Sequence, residues 1–125
     1  RPQLQWEKVG WWVNEGPAVL YVGDNVHIVY SGSGYSSGKY CLGMLTLAGD
    51  DVMKKSSWIK SPLPVMKGSK VSGVYHTGHC SFLYRDNGEV YMVYHATDDP
   101  DFFAKRRCTY IKKIEFIGNY PIFNM

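Results

Sequence analysis

The 125-residue sequence has no apolar run approaching the roughly 18 residues of a membrane-spanning helix, so no membrane span is expected. It has three cysteines, Cys41, Cys80 and Cys108, an odd number without framework spacing, which argues against a disulfide scaffold. Leu, Ala and Glu are scarce, which disfavours a helical bundle. Charge of one sign is not gathered either. The net charge is +3, and the basic pairs Lys54-Lys55, Arg106-Arg107 and Lys112-Lys113 are scattered along the chain. A nucleic-acid binder concentrates such charge on one face, so nucleic acid is not an expected partner. No nucleotide loop, Gly-x-Ser-x-Gly elbow or catalytic-cysteine motif occurs. No signal peptide is present, but the chain opens on Arg1 rather than Met, so an extracellular and a cytoplasmic location both stay open.

What the sequence has in abundance is aromatic residues: ten Tyr, four Trp and five Phe, punctuated by 13 Gly and 6 Pro. Aromatic and β-branched side chains pack well on pleated surfaces, so an all-β fold is expected. Residues 18–22 and 26–30 flank Gly23-Asp24-Asn25 and read as a β-hairpin. A second hairpin is formed by 81–84 and 90–94 around Asp86-Asn87-Gly88-Glu89. Val26, Ile28, Val29 and Tyr30 match Val90, Met92, Val93 and Tyr94 at an offset of 64, and Leu20 and Tyr21 match Leu83 and Tyr84 at 63. A third strand follows each hairpin, at 40–47 and 107–116, and a short fourth around Trp58-Ile59-Lys60 closes the first unit. The one helical candidate, 98–105, is interrupted by Pro100. Two units of about four antiparallel strands, over approximately 12–70 and 73–125, predict a partial β-propeller domain across 1–125. Propellers close with four to eight blades, so two blades leave an uncovered apolar face at each end.

The repeat also sets out the candidate chemistry. Glu15 and His79 stand at equivalent places, within one residue, at the heads of successive first strands. In a propeller those strands line the central channel, so the two side chains are expected to share a cavity. Trp11, Trp12, Val13, Ala18 and Val19 flank Glu15, and an apolar setting favours the protonated carboxyl that a general acid requires. The plainer reading is a hydrogen-bonded Glu at the turn before Gly16-Pro17. His79 is a candidate base, metal ligand or modulator of Glu15, against a satisfied half-buried His. His76-Thr77-Gly78-His79-Cys80 lacks the second cluster of a zinc site, and His95 reads as a core or rim residue. Trp11, Trp12, Tyr35 and Phe102 are candidates for stacking on a sugar ring. Strand alternation sends one of Arg106 and Arg107 inward, where it can donate to a substrate, but does not say which.

The ordered set Trp6-Glu7, Asn14-Glu15-Gly16-Pro17, Tyr30-Ser31, Tyr40 with Gly43, and 57–62 (Ser-Trp-Ile-Lys-Ser-Pro) continues through Gly78-His79-x-Ser81-Phe82, 93–96 (Val-Tyr-His-Ala), Arg106-Arg107 and Pro121-Ile122-Phe123. Together it resembles the C-terminal half of glycoside hydrolase family 43 enzymes of the α-L-arabinofuranosidase and β-xylosidase kind. The resemblance covers nearly the whole chain. It implies a five-bladed β-propeller and inverting hydrolysis of arabinofuranosyl or xylosyl linkages in plant cell-wall polysaccharide. It further implies that Glu15 is the general acid and His79 the channel histidine, near a water or a bound calcium ion. Either Arg106 or Arg107 then matches the substrate-binding arginine, and Trp12 remains the aromatic candidate read from the residues themselves. No cofactor is required, and calcium binding is left open because His76 and Cys80 depart from the family's usual residues.

Inversion needs an acid and a separate base, and Asp24, Asp50, Asp51, Asp86, Asp98, Asp99 and Asp101 all read as turn or loop residues. The expectation is an acid-bearing portion that does not hydrolyse glycosides without the N-terminal blades. The alternative is a non-catalytic carbohydrate-binding or self-associating propeller fragment.

Overall fold

The computed structural model describes residues 1–101 and 106–123. Phe102 and the second half of the 98–105 segment lie outside the described residues. The fold is all-β, and the described helical structure is limited to single 3₁₀ turns at Gln5–Glu7 and Lys55–Ser57.

The first sheet contains β1 (Asn14–Val22), β2 (Asn25–Gly32), β3 (Cys41–Leu47) and β4 (Trp58–Lys60) in sequential antiparallel order. A two-residue strand, β5 (Met66–Lys67), pairs with the far end of β3. The second sheet is β6 (Tyr75–Tyr84), β7 (Val90–Thr97) and β8 (Cys108–Lys113). The run read as one strand over 107–116 divides at Ile114, whose side chain is buried in the core while its N–H donates to Val90 O at 2.9 Å. The chain then forms a separate hairpin of β9 (Glu115–Ile117) and β10 (Tyr120–Ile122). The second unit therefore has three strands in its sheet and a hairpin apart from it. That hairpin reaches back to the first sheet, where buried His27 meets Asn119 O at 3.3 Å through Nε2 and Thr46 Oγ1 at 3.0 Å through Nδ1.

The two first strands carry the same irregularity. Ladder register shifts between Glu15 and Ala18 in β1 and between Gly78 and Ser81 in β6. Glu15 pairs with Ser31, and Gly78 pairs with His95, 64 residues on from Ser31. Gly78 is thus the counterpart of Glu15, and His79 the counterpart of Gly16. Both residues sit in the left-handed region, at φ 54° for Gly16 and 51° for His79. The same bulge stands in both first strands, so their offset stays at 63 throughout; the one-residue slack in the repeat comes from the hairpin turn, where Tyr21 pairs with Val26 but Tyr84 pairs with Val90.

The sheets stack in the same sense rather than face to face about a twofold axis. Val29 is fully buried between them, whereas Val93, its repeat mate, lies on the far side of the second sheet. The shared core draws Leu20, Val29, Leu42 and Met44 from one sheet and Cys80, Met92, Tyr94 and Ala96 from the other. Each sheet is left with an open face. Val19 and Tyr21 are 44% and 58% exposed on the first, and Leu83 and Ile111 are 53% and 67% exposed on the second. Same-sense stacking is the geometry that continues into rings.

Candidate active site

Glu15, paired with Ser31, stands immediately before the bulge at the head of β1, at the edge of the interface between the sheets. Its Oε1 accepts a hydrogen bond from the Tyr40 hydroxyl at 2.7 Å. Tyr40, only 2% exposed, lies just before β3, and its ring is placed by two neighbours. One is Gly78: a Cβ there would come within 1.9 Å of the Tyr40 ring, so only glycine admits the phenol. The other is His95 on β7, whose ring is parallel to that of Tyr40 within 7° at 5.7 Å between centroids. Burial raises the Tyr40 phenol above its ordinary value, with Ser31 acting in the opposite direction and the Glu15 carboxylate adding to the rise. Tyr40 is therefore a proton holder and hydrogen-bond donor.

His95 joins the rest of the group. Its Nε2 lies 3.2 Å from Arg107 Nη1. A guanidinium has no lone pair to offer, so Arg107 donates, Nε2 accepts, and the ring proton resides on Nδ1. Burial lowers the His95 value below 6.5, Arg107 and His79 push the same way, and Glu15 opposes them. The neutral imidazole fits that balance. Arg107 also lies over the Tyr35 ring at 4.8 Å. His79 stacks near His95 at 6.1 Å, its backbone N–H donates to Ser31 Oγ at 2.6 Å, and its ring rests against the Gly16 backbone. A Cβ on Gly16 would meet that ring at 3.0 Å. The Gly of the Glu-Gly-Pro sequence is therefore needed for its φ and for the space it leaves.

Glu15 and His79 do converge, and Arg107 joins them. The three are connected through Tyr40 and His95, which the sequence reading placed elsewhere or passed over. His95, expected in the core or at the rim, is at the centre of the group, because the β7 alternation that buries Tyr94 and Ala96 turns it to the opposite side. Arg106 has no hydrogen bond or ion pair among the described residues. Trp12 is 72% exposed with the Lys8 ammonium over its ring at 4.6 Å, and no hydrogen bond or ring contact joins it to Glu15. Trp11 is 67% exposed. The apolar shield expected from this pair is thus absent, because both precede β1 and project into solvent. The surroundings of Glu15 are polar and aromatic instead.

A cleft of about 500 Å³ opens beside Glu15 on the outer face of the first sheet, walled by Pro17, Ile28, Leu45, Trp58 and Lys60. Behind it lies a second carboxylate, Glu7, with no solvent exposure. It accepts from Lys60 Nζ at 2.6 Å, the Tyr30 hydroxyl at 2.7 Å, Asn14 Nδ2 at 3.0 Å and the Leu4 N–H at 2.7 Å. Burial would raise its pKa, but the Lys60 ammonium, the Gln3 and Leu4 amides and the Tyr30 hydroxyl outweigh it and hold Glu7 at about 2. The Trp6 and Lys60 side chains flank Tyr30, so the N-terminal turn, β1, β2 and β4 meet at one carboxylate.

Among the described residues, no group of three His, Cys, Asp or Glu is arranged to hold a metal ion. Calcium takes six to eight oxygen ligands, and around His79 the described groups are rings, an amide donor and one engaged hydroxyl. These residues alone do not make a calcium cage, and no chemistry is routed through one.

Residues 1–120 match the family described as Glycosyl hydrolases family 43. An extracellular exo-alpha-(1->5)-L-arabinofuranosidase of Streptomyces avermitilis is 45% identical over 103 residues, 81% of this chain and 21% of that protein. A protein of the same description from Streptomyces chartreusis is 39% identical over 97 residues, 76% of this chain and 29% of its own length. The crystal structure of alpha-L-arabinofuranosidase from Lactobacillus brevis superimposes with a TM-score of 0.89 at 31% identity, over 99% of this chain and 40% of that one. The chain thus spans between a fifth and a third of these curated relatives, and its two sheets are blades of the β-propeller that such structures build.

Proposed function

The chain belongs to glycosyl hydrolase family 43, and on that premise we propose that it supplies the acid side of an inverting glycoside hydrolase acting on arabinofuranosyl or xylosyl linkages of plant cell-wall polysaccharide. The observation that carries this reading is Glu15: a carboxyl at a bulged strand head, with one oxygen held by Tyr40 and the other accepting no hydrogen bond from the described residues. In the reaction, Glu15 protonates the leaving oxygen. Arg107, held by His95 and Tyr35, donates to the sugar, and His79 helps to form the wall around Glu15.

Inversion also requires a carboxylate base roughly 6.5–9.5 Å from the acid, on the opposite face of the sugar. The described Asp residues all lie in turns, bends or loops, so the base belongs to a further part of the protein. This polypeptide alone is accordingly read as inactive. The open faces bearing Val19 and Tyr21, and Leu83 and Ile111, support assembly with further blades. They equally favour the second reading, a carbohydrate-binding propeller fragment that covers those faces with a second copy. No cofactor is assigned, and a water-bridged calcium at His79 needs oxygen ligands from outside the described residues.

The test is to measure solution mass and then hydrolysis of an arabinofuranosyl-arabinose disaccharide, whose leaving group needs the acid, with and without a polypeptide carrying the N-terminal blades. Activity only on mixing, abolished by Glu15→Gln, supports the reading. Turnover by this chain alone contradicts the division of labour, and sugar binding without hydrolysis in any mixture favours the second reading.

A further inference from the structure

The hydrogen bond between Tyr40 and Glu15 distinguishes the two carboxyl oxygens. Oε1 is occupied at 2.7 Å by a phenol that burial keeps protonated, whereas Oε2 accepts no hydrogen bond from the described residues. We infer that Tyr40 is a positioning residue for Glu15: it occupies Oε1 and so assigns Oε2 as the oxygen that carries the transferable proton. The inference rests on the reading of Glu15 as general acid.

The geometry gives the phenol little freedom. It is wedged between the backbone of Gly78, where no Cβ fits, and the parallel ring of His95. His95 is in turn held by Arg107 through Nε2. Tyr40 comes from the segment before β3, Gly78 from β6, His95 from β7 and Arg107 from just before β8, so the orientation of Glu15 on β1 is set by both sheets. During glycosidic cleavage the proton leaves Glu15 Oε2 for the glycosidic oxygen, which receives the electron pair of the breaking C–O bond. Water adds to the anomeric carbon and gives its proton to the carboxylate base in the further part of the protein. Glu15 ends as a carboxylate, and the Tyr40 hydrogen bond strengthens as charge develops on its acceptor. A bond stronger in the transition state than in the ground state acts on kcat rather than on KM.

The experiment compares Tyr40→Phe with the parent in the longest natural form of the protein, using two arabinofuranosides. A nitrophenyl arabinofuranoside has a leaving group that departs with little protonation, whereas an arabinofuranosyl-arabinose disaccharide depends on the acid. Loss of Tyr40 is expected to lower kcat on the disaccharide at least about tenfold more than on the nitrophenyl substrate, with KM unchanged. An equal loss on both, or none on either, overturns the inference. Glu15→Gln is the control: if it still cleaves the disaccharide at the parental rate, the acid reading fails, whatever Tyr40 does. Should Tyr40→Phe not fold, His95→Gln keeps an acceptor for Arg107 and removes the stacked ring. The same selective loss is then expected, and a uniform loss overturns the inference. Independently of turnover, tyrosine-labelled protein should show a slowly exchanging Tyr40 hydroxyl proton by NMR that disappears in Glu15→Ala. Absence of that resonance in the parent also overturns the inference.

Discussion

Glu7 and Glu15 lie close together in the sequence and are held in opposite ways. Glu7 is fully buried and has donors from the N-terminal turn, β1, β2 and β4, with a lysine at 2.6 Å. Glu15 is half-buried, beside a cleft, with one phenol on one oxygen. A carboxylate surrounded by donors is fixed in its charged form and has no means of giving up a proton near neutral pH. One with a free oxygen and an adjacent opening can exchange a proton with what enters. The difference separates a structural carboxylate from a candidate acid more sharply than burial alone does, since the more buried of the two is the one less suited to acid chemistry.

The comparison can be broken most directly by exchanging the chemistry at each position. Glu15→Gln is expected to lower kcat of the assembled enzyme on a disaccharide by about 10²–10⁴-fold. Its unfolding free energy should stay within about 1 kcal/mol of the parent in urea titration, because only one hydrogen bond is altered. Glu7→Gln should do the reverse, costing about 2–4 kcal/mol as the partly buried Lys60 ammonium is left beside a neutral partner. If Glu7→Gln leaves stability unchanged, the contrast fails.

Acid titration sharpens the same point. The folded pKa of Glu7 is about 2, below its ordinary 4.5. Its contribution is therefore fully present above pH 4.5 and is lost as the pH falls from there towards 2. At about 1.4 kcal/mol per pH unit the loss is on the order of 3 kcal/mol. Chemical unfolding at a series of pH values should show that decline in the parent and a flatter profile in Glu7→Gln.

Gly78→Ala tests the Glu15 side without touching a charge. A methyl within 1.9 Å of the Tyr40 ring must displace it, so a destabilisation of about 1–3 kcal/mol is expected, together with a selective loss on the disaccharide. The smallest effects belong to the surface residues. Arg107→Ala is expected to raise KM about tenfold through loss of a charge-assisted hydrogen bond to substrate. Trp12→Ala should change stability by no more than about 0.5 kcal/mol, as exposed substitutions usually do. An Arg106→Ala variant with the larger KM effect would reverse the assignment of the substrate-binding arginine.

Much of this was legible in the sequence. The all-β class follows from the aromatic content and turn signals, the two hairpins from alternation around Gly23 and Gly88, and the convergence of Glu15 and His79 from the repeat. The true counterpart of Glu15 is Gly78, one residue from the expected His79, because the second hairpin turn carries one more residue and the first strands therefore repeat at 63 rather than 64. Tyr40 and His95 have no role legible in the sequence, because nothing local distinguishes a buried phenol or a strand-end imidazole in the core from one that holds a catalytic side chain. Glu7 attracted attention only as part of a motif, since its donors are scattered from Gln3 to Lys60.

By itself, then, the sequence determined the strands, the repeat and the residue at the head of β1, because alternation, turn chemistry and spacing are local properties. Only the tertiary structure decided that Arg107 rather than Arg106 joins the site and that Tyr40 holds one oxygen of Glu15. It also decided that Glu7 is an anchor rather than an acid. Those outcomes depend on which side chains from distant strands meet at 2.6–3.2 Å, and such meetings arise from how two sheets stack rather than from the order of residues within either.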